Sequence, residues 1–165
     1  MAGFRRALAA LGLAELVLSA TALVAVSALS AAGVVMRYAL NSSIVWGEEV
    51  SLLLMNVMVF LGAAVMYKAR AYVALEYFYR KLPAGPQAWL MRLSWALAFA
   101  FAALAAGYGA SLYPLQINTT SYILELPRFY ATLPLIAGCA SIALTSAYYL
   151  LAREADSILP PIDLT

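Results

Sequence analysis

Histidine is absent and cysteine occurs once, as Cys139. Without imidazole the chain cannot hold a haem between two histidines or bind zinc through histidine. Without a second thiol it cannot form an internal disulfide or work as a paired-cysteine oxidase. Cys139 lies in an apolar run, where a free cysteine behaves as a small packing residue. Charge is also scarce: Asp, Glu, Lys and Arg make up 11% of the chain, with a net charge of +2. The basic residues are scattered rather than gathered in a stripe, so no nucleic-acid partner is expected. A glycine-rich phosphate loop, a catalytic carboxylate pair and a nucleophile beside a base are likewise missing. No enzymatic activity and no cofactor are expected, and no catalytic, cofactor-binding or metal residue is assigned.

What remains is apolar. Hydrophobic residues make up 65% of the chain and the mean hydropathy is +0.88, which places it in the membrane class. Residues 16–36, 50–67, 93–124 and 129–152 carry no charged side chain. A helix needs roughly 20 residues to cross ~30 Å of hydrocarbon. The second run is slightly short, and Trp46 and Gly47 extend it at the interface. The third loses its apolar character near Tyr113, where Pro114 and QINTTS (116–121) follow. The reading is an all-α membrane protein: one membrane domain over 1–165 with spans near 14–36, 47–67, 91–113 and 129–152.

With four spans, Arg5, Arg6, Lys68, Arg70, Arg80, Lys81, Arg92 and Arg153 share one side, leaving Arg37 and Arg128 on the other. The positive-inside tendency makes both termini cytoplasmic. The first apolar run exceeds the roughly 7–15 residues of a signal-peptide core, and three spans follow it, so it is expected to be retained. The segment 70–84 mixes Tyr72, Tyr77, Phe78 and Tyr79 with Glu76, Arg80 and Lys81. This suits an amphipathic helix lying in the headgroup region; the alternative is a cytoplasmic continuation of the second span. Pro134 either sits inside a helix that begins near Arg128 or opens the last span. The triplet NTT at 118–120 matches a glycosylation sequon, a pattern short enough to arise by coincidence.

Few polar side chains interrupt the spans. Glu15 lies near the cytoplasmic edge of the first, where its carboxylate is expected to reach water; every charge then falls at a run boundary, with no buried ion site. Asn56, near the middle of the second span, needs a partner on another helix, because an unpaired amide in hydrocarbon is costly. On the third span Ala96, Ala100, Ala103, Gly107 and Ala110 share a face and are expected to pack against another helix. Between the first two spans stand Arg37, Trp46, Glu48 and Glu49. Trp46 suits an interfacial anchor, and the two glutamates fall in the first turn of helix two, where the helix dipole favours acids. Being adjacent, they point about 100° apart and do not form a dyad. Arg37 is close enough in sequence to pair with either.

The stretch RYALNSSIVWGEEVS (37–51) resembles the small permease subunit of the tripartite ATP-independent periplasmic (TRAP) transporters. The likeness continues at FLGAAVMYKARAYVALEYFYRKLP (60–83) and returns at LELPRFYATLPLIAG (124–138), in the family's order. Where the family often has a histidine, this chain has Tyr72. The resemblance implies a bacterial or archaeal inner-membrane subunit without catalysis of its own. A soluble periplasmic receptor would deliver an organic acid to a large sodium-coupled permease subunit. This chain would widen that subunit's stationary scaffold, with membrane lipids around it. Arg37, Trp46, Glu48, Glu49, Asn56, Arg70 and Arg128 are the candidate scaffold or subunit-interface residues. The Arg37, Glu48 and Glu49 cluster would tie the outer corner to the large subunit or the receptor; the alternative is ordinary helix-end charge, worth well under ~1 kcal/mol per surface pair. Two other readings stand beside this one: an autonomous four-helix exporter using Glu15, and a structural subunit of some other membrane complex.

Overall fold

A computed structural model describes residues 2–42, 44–69, 84–152 and 158–159. The expected interfacial segment, with Arg70 and Tyr72, lies outside these residues, apart from Ala84 at its end. Four helices are long and apolar enough to cross a membrane: α1 (Ala2–Ala39), α2 (Gly47–Ala69), α3 (Ala84–Ser111) and, after the single turn α4 (Tyr113–Gln116), α5 (Phe129–Ala152). Among the described residues there is no strand, only a lone bridge between Thr120 and Pro127.

Local chemistry explains where the helices stop. Asn41 takes a left-handed conformation (φ 50°) after α1, and the Ser42 amide donates back to the Met36 carbonyl at 3.1 Å. Asparagine tolerates that conformation better than most residues. The chain then turns so that the Gly47 amide donates to the Ile44 carbonyl at 3.1 Å, and Glu48 and Glu49 occupy the first turn of α2. Pro134 lies inside α5, which starts at Phe129, so the first of the two readings of that proline is the one observed.

The helices pack in a row: α1 on α2, α2 on α5, and α5 on α3. Such a row leaves broad apolar surface uncovered, including Val17, Val24, Leu97, Phe101 and Leu104. In water that surface would drive aggregation; in hydrocarbon it costs nothing. Glycine sets the central spacing. A Cβ on Gly138 of α5 would stand 2.5 Å from the Phe60 carbonyl oxygen of α2.

The packing of α3 corrects one expectation. Ala96, Ala100, Ala103, Gly107 and Ala110 are all exposed, and nothing lies within 4 Å of a Cβ built on Gly107. The face turned to α5 carries Trp95, Ala98, Ala102, Ala106 and Gly109, about 100° around the helix. The reason is size. Trp95 stacks on Tyr149 with ring centroids 5.5 Å apart, and an aromatic pair contributes far more contact than any alanine. Gly109 then lets α3 approach Leu135 and Ile136. Both faces have small residues at helical spacing, so the pattern alone could not choose between them.

The row is also staggered. Lys68, at the end of α2, lies level with Glu15 of α1 and Ser141 of α5. About 20 Å of α1 precedes Glu15 and about 17 Å of α5 follows Ser141, at 1.5 Å per residue. Beyond the end of α2, Leu8, Trp95, Tyr148, Tyr149 and Ile158 form a compact core.

Candidate functional site

The corner between α1 and α2 brings Arg37, Trp46 and Glu48 to one end of the helix hairpin. An Arg37 Nη stands 3.8 Å from a Glu48 carboxylate oxygen, and both side chains are mostly exposed. At that length and exposure the pair adds well under ~1 kcal/mol to stability. Trp46 is half exposed beside it, in keeping with an interfacial anchor.

Glu49 does something different. Its two carboxylate oxygens accept the backbone amides of Ile123 and Leu124, at 3.2 and 3.0 Å. These amides sit at the tip of the loop between α3 and α5. There Ser121 N–H donates to Leu126 and Arg128 N–H to Thr119, and Glu125 turns the chain with φ 53°. A carboxylate accepting two amides makes charge-assisted bonds, stronger than neutral ones. Glu49 therefore pins the loop between α3 and α5 to the start of α2. Glu49→Gln is expected to speed amide hydrogen exchange at Ile123 and Leu124 at least tenfold relative to Arg128, whose amide is held by Thr119. Equal exchange in the two proteins would show that the loop holds without it. Arg128, at the base of the same loop, lies over the Tyr122 ring at 5.8 Å.

Asn56 finds the interhelical partner it needs: its amide donates to the Ala131 carbonyl at the start of α5, at 3.2 Å. Nearby Thr132 donates to the Gln116 side-chain oxygen at 2.7 Å. Asn56, Gln116 and Thr132 thus knit α2, α4 and α5 together beneath the loop. Of the residues singled out from sequence, Arg37, Trp46 and Glu48 form one group, while Glu49, Asn56 and Arg128 form a second around the loop.

One site was missed. Lys68, with no exposed surface, donates to Glu15 at 2.6 Å and to the Ser141 hydroxyl at 2.7 Å. Glu15 is only 4% exposed. This corrects the expectation that Glu15 reaches water and that no ion site is buried. A charge at the end of an apolar run in sequence is not at a water boundary when neighbouring helices continue past it. Ile158 and Leu159 close the region further: the Ile158 amide donates to the Lys68 carbonyl at 3.2 Å, and both side chains are buried. The available signal was symmetry. Glu15 and Lys68 have opposite charges and lie at similar distances from the α1–α2 turn, which places them level in an antiparallel hairpin. Glu15, committed to Lys68, is not the open carboxylate that an exporter would use.

Among the described residues, no three His, Cys, Asp or Glu side chains gather to hold a metal. The geometry is that of four apolar helices pinned by polar contacts at both ends of α2. No curated protein matches the chain. The family model for the DctQ component of tripartite ATP-independent periplasmic transporters matches residues 26–155, which include the α1–α2 corner, the pinned loop and all of α2, α3 and α5. The chain therefore belongs to the DctQ family, the small permease subunits of the TRAP transporters.

Proposed function

We propose that the chain is the stationary partner of a large sodium-coupled permease subunit, which takes up an organic acid delivered by a periplasmic receptor. The observation that carries this reading is the family match across residues 26–155. The architecture supports it. A row of four helices with apolar sides uncovered is suited to extending a larger membrane protein. Its buried polar groups are spent on holding helices together: Lys68 on Glu15 and Ser141, and Asn56 on Ala131. With both termini cytoplasmic, the α1–α2 corner and the Glu49-pinned loop face the receptor's compartment. The corner residues Arg37, Glu48 and Glu49, with Trp46 and Arg128 beside them, then meet the large subunit or the receptor.

The test is recovery of the chain from native membranes in mild detergent, with identification of what stays bound. An equimolar, many-span partner is expected. Recovery of the chain only with itself would overturn the reading. The corner is tested by combining Glu48→Gln with Glu49→Gln. A loss of assembly or uptake of at least about fivefold is expected, and unchanged values of both would remove the corner from the interface.

A further inference from the structure

Between the outer halves of α1 and α2 runs an open groove of about 640 Å³. Its walls are mostly apolar, from Val26, Leu29 and Val34 on α1 and Leu52 and Met55 on α2, with Ser30 and Ser51 among them, and Gly33 provides depth. From Val26 to Arg37 along α1 is about 16 Å, and from Gly47 to Met55 along α2 about 12 Å. Half of a ~30 Å hydrocarbon core is ~15 Å. The groove is thus one leaflet long.

Its mouth is charged. Arg37 and Glu48 line it, exposed and 3.8 Å apart, longer than the 2.7–2.9 Å of a tight charge-assisted bond. The guanidinium has five donors and the carboxylate several acceptor positions, so a loose contact leaves most of that capacity for other groups. Tyr38, 82% exposed, and the half-exposed Trp46 flank the same end, as aromatic residues do at the level of lipid headgroups.

We infer that this groove binds one phospholipid with a zwitterionic amine headgroup, of the phosphatidylethanolamine type. One acyl chain lies against Val26, Leu29, Leu52 and Met55. The phosphate meets Arg37, which suits bidentate phosphate recognition, and the ammonium meets Glu48. The charge pattern selects this occupant. An apolar helix of a partner would satisfy the walls but offer nothing to the donor and acceptor positions that the loose Arg37–Glu48 contact leaves open. An anionic lipid without an amine would meet Arg37 and be repelled by Glu48. The lipid would engage Arg37 and Glu48, two of the corner residues proposed above to meet the large subunit or the receptor, so its test uses the chain in vesicles without either.

Gly33 allows a direct test. A Cβ there meets nothing within 4 Å and Gly33 lines the groove, so Gly33→Leu places its side chain in the acyl-chain space. Gly107→Leu, equally free of neighbours on the exposed side of α3, is the control. The full chain is reconstituted in vesicles of phosphatidylethanolamine and phosphatidylglycerol, with a trace of either lipid carrying a photoactivatable diazirine on its acyl chain. After irradiation, adducts are mapped by mass spectrometry. The phosphatidylethanolamine probe is expected to label residues 26–37 and 47–55 about fivefold more than the phosphatidylglycerol probe. Gly33→Leu should remove that labelling and Gly107→Leu should keep it. Arg37→Gln with Glu48→Gln should abolish the preference between the two probes. Labelling that survives Gly33→Leu, or equal labelling by both probes in the unaltered chain, would overturn the assignment. So would finding that a photoreactive side chain at position 33, in the native membrane, captures a polypeptide rather than lipid.

Discussion

Lys68→Met is expected to lower the unfolding free energy of the detergent-solubilised chain by about 3–5 kcal/mol, the usual cost of leaving one member of a buried ion pair alone. The substitution leaves the Glu15 carboxylate in a place only 4% exposed, with its 2.6 Å partner removed. Glu15→Leu should cost a similar amount, since among the described residues the Lys68 ammonium would keep only the Ser141 hydroxyl. The double variant Glu15→Leu with Lys68→Met is the informative one. Two apolar side chains of similar length need no mutual charge, and replacing both members of a buried pair is often neutral or better. The double should therefore recover most of the loss. Single variants within ~0.5 kcal/mol of the original protein would mean that water reaches the pair despite its burial. A double variant as unstable as either single would mean that packing, rather than charge, sets the cost.

Gly138→Ala is expected to destabilise by about 2–3 kcal/mol, at the upper end of the usual range for overpacking. The added methyl would lie 2.5 Å from the Phe60 carbonyl oxygen and 2.8 Å from its carbon. Both are backbone atoms of α2, so the clash cannot be relieved by swinging a side chain away. The helices must part, and the Asn56–Ala131 hydrogen bond should lengthen with them. Gly107→Ala is the matched control, because its new methyl meets nothing within 4 Å. It should be neutral or stabilising by about 0.5–1 kcal/mol, as the loss of glycine's backbone freedom predicts. Gly109→Ala falls between them: its 2.9 Å neighbours are side-chain carbons of Leu135 and Ile136, which can shift. Equal melting temperatures for the three variants would show that the α2–α5 approach is looser than the structure has it.

The corner between α1 and α2 was partly legible in the sequence. Adjacent glutamates on a helix must diverge by about 100°, and they do: Glu48 faces Arg37 while Glu49 turns to the loop. That divergence excluded a dyad. It could not reveal what Glu49 holds, because Ile123 and Leu124 are more than seventy residues away in the chain. Asn56 was legible in the same limited sense. An amide within a span needs a partner, but the identity of Ala131 depends on where α5 begins beside α2.

The reading of α3 failed for a related reason. Alanine is so frequent there that several helix faces offer small residues at the spacing for close approach. The buried face was decided by one large side chain, Trp95, and the tyrosine it stacks on.

By itself the sequence determined the membrane class, four spanning helices, the chemistries ruled out by missing histidines and thiols, and the resemblance that the family match upholds. These follow from quantities summed along one stretch of chain: hydropathy, length, and the residues at a helix end. The tertiary structure alone decided that Lys68 meets Glu15 away from water, that Glu49 pins a distant loop, and which side of α3 is covered. Each depends on the register of one helix against another. That register is set where Gly138 lets backbones touch and where Trp95 finds Tyr149, contacts that no single stretch of chain contains.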